Sequence, residues 1–233
     1  MAKTCEEYVV KRLETLEQEN AKLIGQLAIS KQWDEEFERE FKEDEKYTLD
    51  LPVGYELEIE VGGFKYPVVL VHKTNELYIW NFKECYKEMK RFGNDNKYDT
   101  SSIKKWLNEK LYNMLPEEVK KEIIECDGLG KVWLMSEYNV FGTRKYSNNN
   151  ETELGNTHFD YFKNWRNRIK TILHSENYGD QEGWWYWLRS PYSGSTNVVC
   201  NVYSSGNAGS NIAYVAGGVA PCFATKKIFD FIE

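Results

Sequence analysis

Two spacings of apolar residues divide the chain. In residues 6–30, within VVKRLETLEQENAKLIGQLAIS, Val9, Leu16 and Leu23 alternate with Leu13, Asn20 and Leu27 in a seven-residue repeat, the seam of an amphipathic helix. Asn20 occupies one core position of that seam, as in parallel dimeric coiled coils whose buried asparagine fixes register. Arg12 and Glu17 are spaced to pair across it, while Ile24 widens the apolar stripe. The pattern predicts a helix that joins copies of the chain or docks on its own domain. After Ser30 the register slips, and Trp33, Phe37 and Phe41 recur every four residues as a packing stripe. Asp50-Leu-Pro-Val-Gly then ends the helical region.

From residue 55 the period changes to two. YELEIEV alternates, Gly62-Gly63 supplies a turn, FKYPVVLVH continues, and Thr74-Asn75-Glu76 leads into LYIWNF, which predicts a meander of short strands. Pro67 cannot donate to a ladder and is expected at an edge or bulge. In DTSSIKKWLNEKLYNML, Ile103, Trp106, Leu107 and Leu111 return to helical spacing behind capping residues 99–102, and Pro116-Glu-Glu opens a second helix. KVWLMS (131–136) reads as a strand and YFKNWRNRIKTIL (161–173) as a third amphipathic helix. Beyond Gly183, WWYWLRS, VVCNVYSS, IAYVAGG and VAPCFAT are strand candidates between Gly-, Ser- and Asn-rich connections. In the first of these, Trp185 and Trp187 fall on one side of an extended chain and Trp184 and Tyr186 on the other, so at least one pair is expected in a core.

Composition narrows the classes. The 233 residues are 41% hydrophobic, enough for a substantial core, and the net charge of −7 opposes nucleic-acid binding. No apolar run is long enough to span a membrane and the N-terminus has no signal-peptide core, so a cytoplasmic or virion protein is expected. Five scattered cysteines, Cys5, Cys85, Cys126, Cys200 and Cys222, point to thiols in a reducing compartment.

The segments DTSSIKKWLN (Asp99 to Asn108), KVWLMS (Lys131 to Ser136), YWLRSP (Tyr186 to Pro191) and GGVAPCFA (Gly217 to Ala224) together resemble the DUF6273 family. The resemblance covers roughly residues 50–225. It implies a setting in gut bacteria or their phages and an architecture similar to the C-type lectin and formylglycine-generating-enzyme superfamily, with a small twisted sheet, flanking helices and a loop-rich variable surface. The family closes on Gly-Val-Arg-Pro-Ala, whereas Ala220 stands in the arginine's place here. The expected fold is therefore α+β: a helical oligomerisation or docking segment over 1–48, then a DUF6273-like, C-type-lectin-like domain over 49–233.

Reactive chemistry finds little support. His72, His158 and His174 are solitary, no CxxC occurs, and the acids form no calcium loop, so no metal or cofactor is expected. Oxygens of Asp180 and Glu182 could serve calcium, though no spacing requires it. Cys200 and Cys222 would meet only if their strands were neighbours. Asp127-Gly-Leu-Gly-Lys lacks the length and the following Ser/Thr of a phosphate loop and reads as a turn. What stands out is YSGSTNVVCNVYSSGNAGSNIAYVAGG, which offers Tyr192, Thr196, Asn197, Asn201, Tyr203, Asn207, Asn211 and Tyr214 in the composition of adaptable binding loops. Arg189 joins them as a candidate cation. The expectation is a non-enzymatic, homo-oligomeric protein that recognises a protein or glycan through residues 192–214. A structural protein of a phage particle, or a cysteine- or metal-dependent enzyme, are the alternatives.

Overall fold

A computed structural model describes residues 50–148, 154–176 and 183–226. The expectations for the coiled coil over 6–30, for the stripe of Trp33, Phe37 and Phe41, and for Asp180 and Glu182 lie outside these residues. Pro52–Lys226 forms a compact unit of its own, and its mixture of helices and antiparallel sheets is α+β. Among the described residues no helix is long and apolar enough to cross a membrane.

The meander forms as the alternation predicts. Strands β1 (Glu56–Val61), β2 (Phe64–Lys73) and β3 (Leu77–Phe82) pair in sequence, with positive φ at Gly62 and Gly63 making the first turn and the Thr74 hydroxyl accepting the Leu77 N–H at 2.9 Å in the second. Two later segments extend this sheet. β10 (Cys222–Lys226) lies against β3, and the short β5 (Ile123–Ile124) lies beyond it, giving the order β1-β2-β3-β10-β5. Pro67 therefore sits on an interior strand, and the irregularity in β2 falls between Leu70 and His72. The proline is tolerated because β2 outruns β3: Pro67 faces the side where β3 has ended at Phe82, and its carbonyl accepts the Lys83 N–H at 2.9 Å.

A second sheet holds β6 (Tyr186–Pro191), β7 (Val198–Val202) and β8 (Ala208–Ile212) in that order, and β4 (Lys90–Arg91) pairs with β9 (Ala216–Gly217) beside it. Strand β6 is buried on both faces. Tyr186 and Trp187, on opposite sides, are enclosed, while Trp184 and Trp185 are half-buried, so burial takes one ring from each expected pair. Pro191 ends the strand as its missing donor requires. IAYVAGG is not one strand: β8 ends at Ile212, the Ala213 carbonyl turns away to accept the N–H groups of Phe92 and Gly93, and only Ala216–Gly217 pairs again, as β9. Cys200 on β7 and Cys222 on β10 belong to different sheets and are not joined by a disulfide.

Ser101 caps the helix over 102–114, accepting the Lys104 N–H. This helix runs as α1 (Ser102–Trp106), a π segment (Leu107–Leu111) and α2 (Tyr112–Met114). The widened turn closes with the Tyr112 N–H donating to Leu107 O, and at its start the Asn108 side chain donates to Lys104 O at 3.0 Å. The short α3 (Glu117–Glu122) follows Pro116, and α4 (Glu137–Phe141) follows a capping box of Ser136 and Asn139.

Two segments depart from their periodicity. KVWLMS makes only an isolated bridge, Trp133 with Cys222, because side chains replace a second strand. Asn108 Oδ1 accepts the Lys131 and Val132 N–H groups, the Tyr98 hydroxyl accepts that of Leu134, and Asn139 Oδ1 accepts that of Ser136. The expected helix over 161–173 is two 3-10 turns, Asp160–Lys163 and Trp165–Arg168. Asn164 between them is extended and accepts the Arg166 N–H, so the side chain that caps the second turn interrupts the helix.

Candidate functional site

Glu137 is wholly enclosed, and its carboxylate is held by hydrogen-bond donors. It accepts N–H groups from Lys145 (3.2 Å), Tyr146 (3.1 Å) and Ser147 (2.8 Å), and the Ser147 hydroxyl at 2.7 Å. One side chain thus folds residues 144–147 back over the start of α4. Its own N–H donates to Ser190 Oγ at 2.8 Å, tying that loop to the end of β6.

The loop leaving β6 is fastened from both sides. Ser193 N–H donates to Tyr146 O at 2.8 Å, and Ser147 forms a bridge with Tyr192. From the opposite side, Asn96 donates its side-chain amide to Ser195 O (2.7 Å) and Tyr192 O (3.3 Å) and its N–H to Thr196 O (2.9 Å). Three segments distant in sequence therefore enclose an open hollow of about 370 Å³, lined by Asn96, Asn148 and residues 191–196. The Tyr192 ring lies 5.8 Å from that of Tyr146, tilted by 46°.

The expected binding residues separate into three groups. Tyr192 and Thr196 line the hollow. Asn197 is exposed beside them, and its carbonyl accepts the Ala213 N–H, which brings Tyr214 (54% exposed) to the same end of the sheet. Asn211 belongs to this end too, opposite Val199. Tyr203 and Asn207 flank the β7–β8 turn at the other end, where Tyr203 N–H donates to Asn207 O. Arg189 and Asn201 are interior. The Arg189 guanidinium donates to Leu134 O at 2.6 Å and to Asn139 Oδ1 at 3.3 Å, holding KVWLMS against β6. Asn201 stands between Trp187 and Gly209 on the central strand, and among the described residues neither its amide nitrogen nor its oxygen has a hydrogen-bond partner.

Sequence reasoning missed two of the three walls. Asn94-Asp-Asn and Ser147-Asn148 carry only ordinary loop composition, and nothing local announces that they meet residues 191–196.

On the far side of the 93–97 loop lies a larger open groove of about 690 Å³. Asp95, Asp99, Glu109 and Glu125 line it together with Lys104 and Lys105, and Lys104 pairs with Asp99 at 2.8 Å. The buried nucleophiles lie elsewhere. Burial pushes the Cys85 and Cys222 thiols up to about 12, despite nearby Lys170, so both stay protonated at neutral pH. Burial also brings Lys170 down to about 8, and its ammonium donates to the carbonyls of Phe82 (2.6 Å) and Lys83 (2.9 Å). Among the described residues no group of three or more His, Cys, Asp or Glu is placed to hold a metal.

The four segments that carry the family resemblance meet as framework. Asn108 and Arg189 support KVWLMS from two sides, Trp133 and Cys222 exchange backbone hydrogen bonds at 2.9 and 2.8 Å, and Gly217 packs against Trp185. Ala220 is buried and offers its carbonyl to the Asn81 amide at 3.0 Å. No curated protein and no solved structure matches the chain. The model of one family, "Domain of unknown function (DUF6273)", matches residues 68–227. That span is most of the chain and contains every wall of the hollow, and the chain belongs to the DUF6273 family.

Proposed function

We propose that this chain is a non-enzymatic recognition protein that binds a protein or glycan target through the loop-rich face around residues 191–197. One observation carries the reading: a hollow whose three walls are tied to one another and to a buried carboxylate by hydrogen bonds within the protein. Binding to such a site orders few groups, so little of the interaction energy is lost to entropy. Tyr192, Thr196, Asn197, Asn211 and Tyr214 form the contact face, while Arg189 and Asn201 support it from within. A C-type-lectin-like architecture and a phage or gut-bacterial setting belong to the same reading. So does self-association through residues 6–30, which would multiply weak sites by effective concentration.

An assembly protein is the second reading, favoured by the exposed aromatic rings of Trp165 and Tyr203 at the other end of the sheet. Binding of the full chain to intact bacterial cells, measured beside its solution mass, separates the two. Recognition predicts saturable binding that Ser193→Trp, at the exposed rim of the hollow, abolishes. Binding unchanged in that variant, or a solution mass that Tyr203→Glu lowers, favours assembly.

A further inference from the structure

The lining of the hollow specifies the chemistry of its target, a step that rests on the recognition reading above. Among the described residues no charged side chain lines it, although 29% of the chain is charged and the groove across the 93–97 loop holds four carboxylates and two ammonium groups. An ionic ligand would leave water without a counter-charge to replace it.

The rim also withholds what a peptide backbone needs. The carbonyls of Tyr192 and Ser195 accept from the Asn96 side chain, that of Thr196 from the Asn96 N–H, and that of Tyr146 from the Ser193 N–H. These carbonyls turn inward to pair within the loop, so among the described residues the rim does not present the outward row of backbone groups of an open strand edge. What remains are hydroxyls and side-chain amides, groups that donate and accept, beside one aromatic ring. Gly194 lies against that ring; a Cβ at Gly194 would stand 2.7 Å from it, so the glycine lets the loop close on Tyr192 and hold it in place.

A ligand that matches this set is neutral, presents hydroxyls around its edge and has an apolar C–H face to lay on an aromatic ring. We infer that the hollow binds a neutral glycan. Tyr192 stacks against a sugar ring, and Asn148, Ser193 and Thr196 pair with its hydroxyls.

The test titrates the full chain, by calorimetry and by NMR, with neutral trisaccharides of glucose, mannose and N-acetylglucosamine, with sialylated and sulfated oligosaccharides, and with uncharged peptides. The expected result is a neutral glycan bound with a Kd of about 1 mM or tighter. Tyr192→Ala and Ser193→Trp should each weaken it by more than about tenfold, the second at unchanged thermal stability, whereas Tyr192→Phe, which keeps the stacking face, stays within about threefold. Preference for acidic sugars or for peptides overturns the inference, as does neutral-glycan binding that none of the variants alters. If intact cells bind through the hollow, as Ser193→Trp reports, and no neutral glycan competes, the glycan assignment falls while recognition stands. If neither cells nor glycans bind, both fall.

Discussion

Replacing Glu137 by glutamine exchanges one carboxylate oxygen for an NH2 and tests whether the hollow is built from the inside. The carboxylate accepts from three backbone N–H groups and one hydroxyl, with the closest contacts on the Ser147 side at 2.7 and 2.8 Å. An amide retains one acceptor oxygen and turns an NH2 toward donors. If the oxygen stays with Ser147, the Lys145 N–H faces a donor and Tyr146 N–H keeps only its 3.2 Å bond to that oxygen; if it turns the other way, the Ser147 N–H faces a donor and its hydroxyl must turn to accept. Hydrogen bonds to a charged group are worth about 1.5–3 kcal/mol each. Removing the equivalent of two, less the cost no longer incurred in burying a charge, gives a destabilisation of about 2–4 kcal/mol. For a protein of this size that lowers Tm by roughly 5–12 °C. Calorimetry gives the magnitude, and hydrogen exchange gives the place: amides 145–147 should lose protection, with Ser193, whose N–H bonds to Tyr146, following. An unchanged Tm together with unchanged protection at 145–147 would refute this account of how the wall is held.

Three further outcomes follow from the interior. Asn201→Leu removes a buried amide with no hydrogen-bond partner among the described residues at nearly constant shape, so stability should hold or rise by about 1 kcal/mol; a loss above about 1 kcal/mol in urea denaturation would show that a partner is held there. Gly217→Ala drives a methyl into the Trp185 ring and toward the Trp187 indole nitrogen, and should cost about 1–3 kcal/mol by overpacking; an unmoved denaturation midpoint would contradict that packing. Stability should peak near pH 9. Lys170, lowered to about 8 in the fold, binds fewer protons folded than unfolded from there to its ordinary 10.5, so its contribution rises with pH. Cys85 and Cys222, raised from 9.0 to about 12, bind more protons folded than unfolded above pH 9, and buried Tyr66 and Tyr161, raised from 10.0 to about 12, do the same above pH 10. Denaturation midpoints that keep climbing through pH 10.5 would reverse this ordering.

How much of this the chain discloses depends on where each backbone hydrogen bond goes. The meander is legible because alternation, turn glycines and the Thr74 turn all act between neighbours in sequence. Pro67 misleads because strand length is not written in the pattern: the meander itself makes β2 interior between β1 and β3, and the proline is tolerated because β3 ends at Phe82, short of it. KVWLMS has the apolar composition of a strand, yet its amides are satisfied by Asn108, Tyr98 and Asn139. The helix over 161–173 fails at Asn164, whose capping ability outweighs the apolar spacing around it. At the site, Tyr192 and Thr196 are legible as binding-loop residues, but their partner Asn96 is nearly a hundred positions away. Arg189, a candidate cation by type, is consumed inside the fold.

Backbone bonds that end on side chains also divide the molecule by how freely it can change. A β ladder accepts almost any residue, because each strand supplies its own donors and acceptors. The segment 131–137 has no such tolerance: replacing Asn108, Tyr98, Asn139 or Ser190 by a residue of equal hydrophobicity leaves a buried amide without a partner. At the rim, the side chains of Ser193 and Thr196 perform no such service; the loop is held through their backbone atoms. An interior whose letters are constrained thus carries a surface whose letters are free, and the same scaffold can present different faces without refolding.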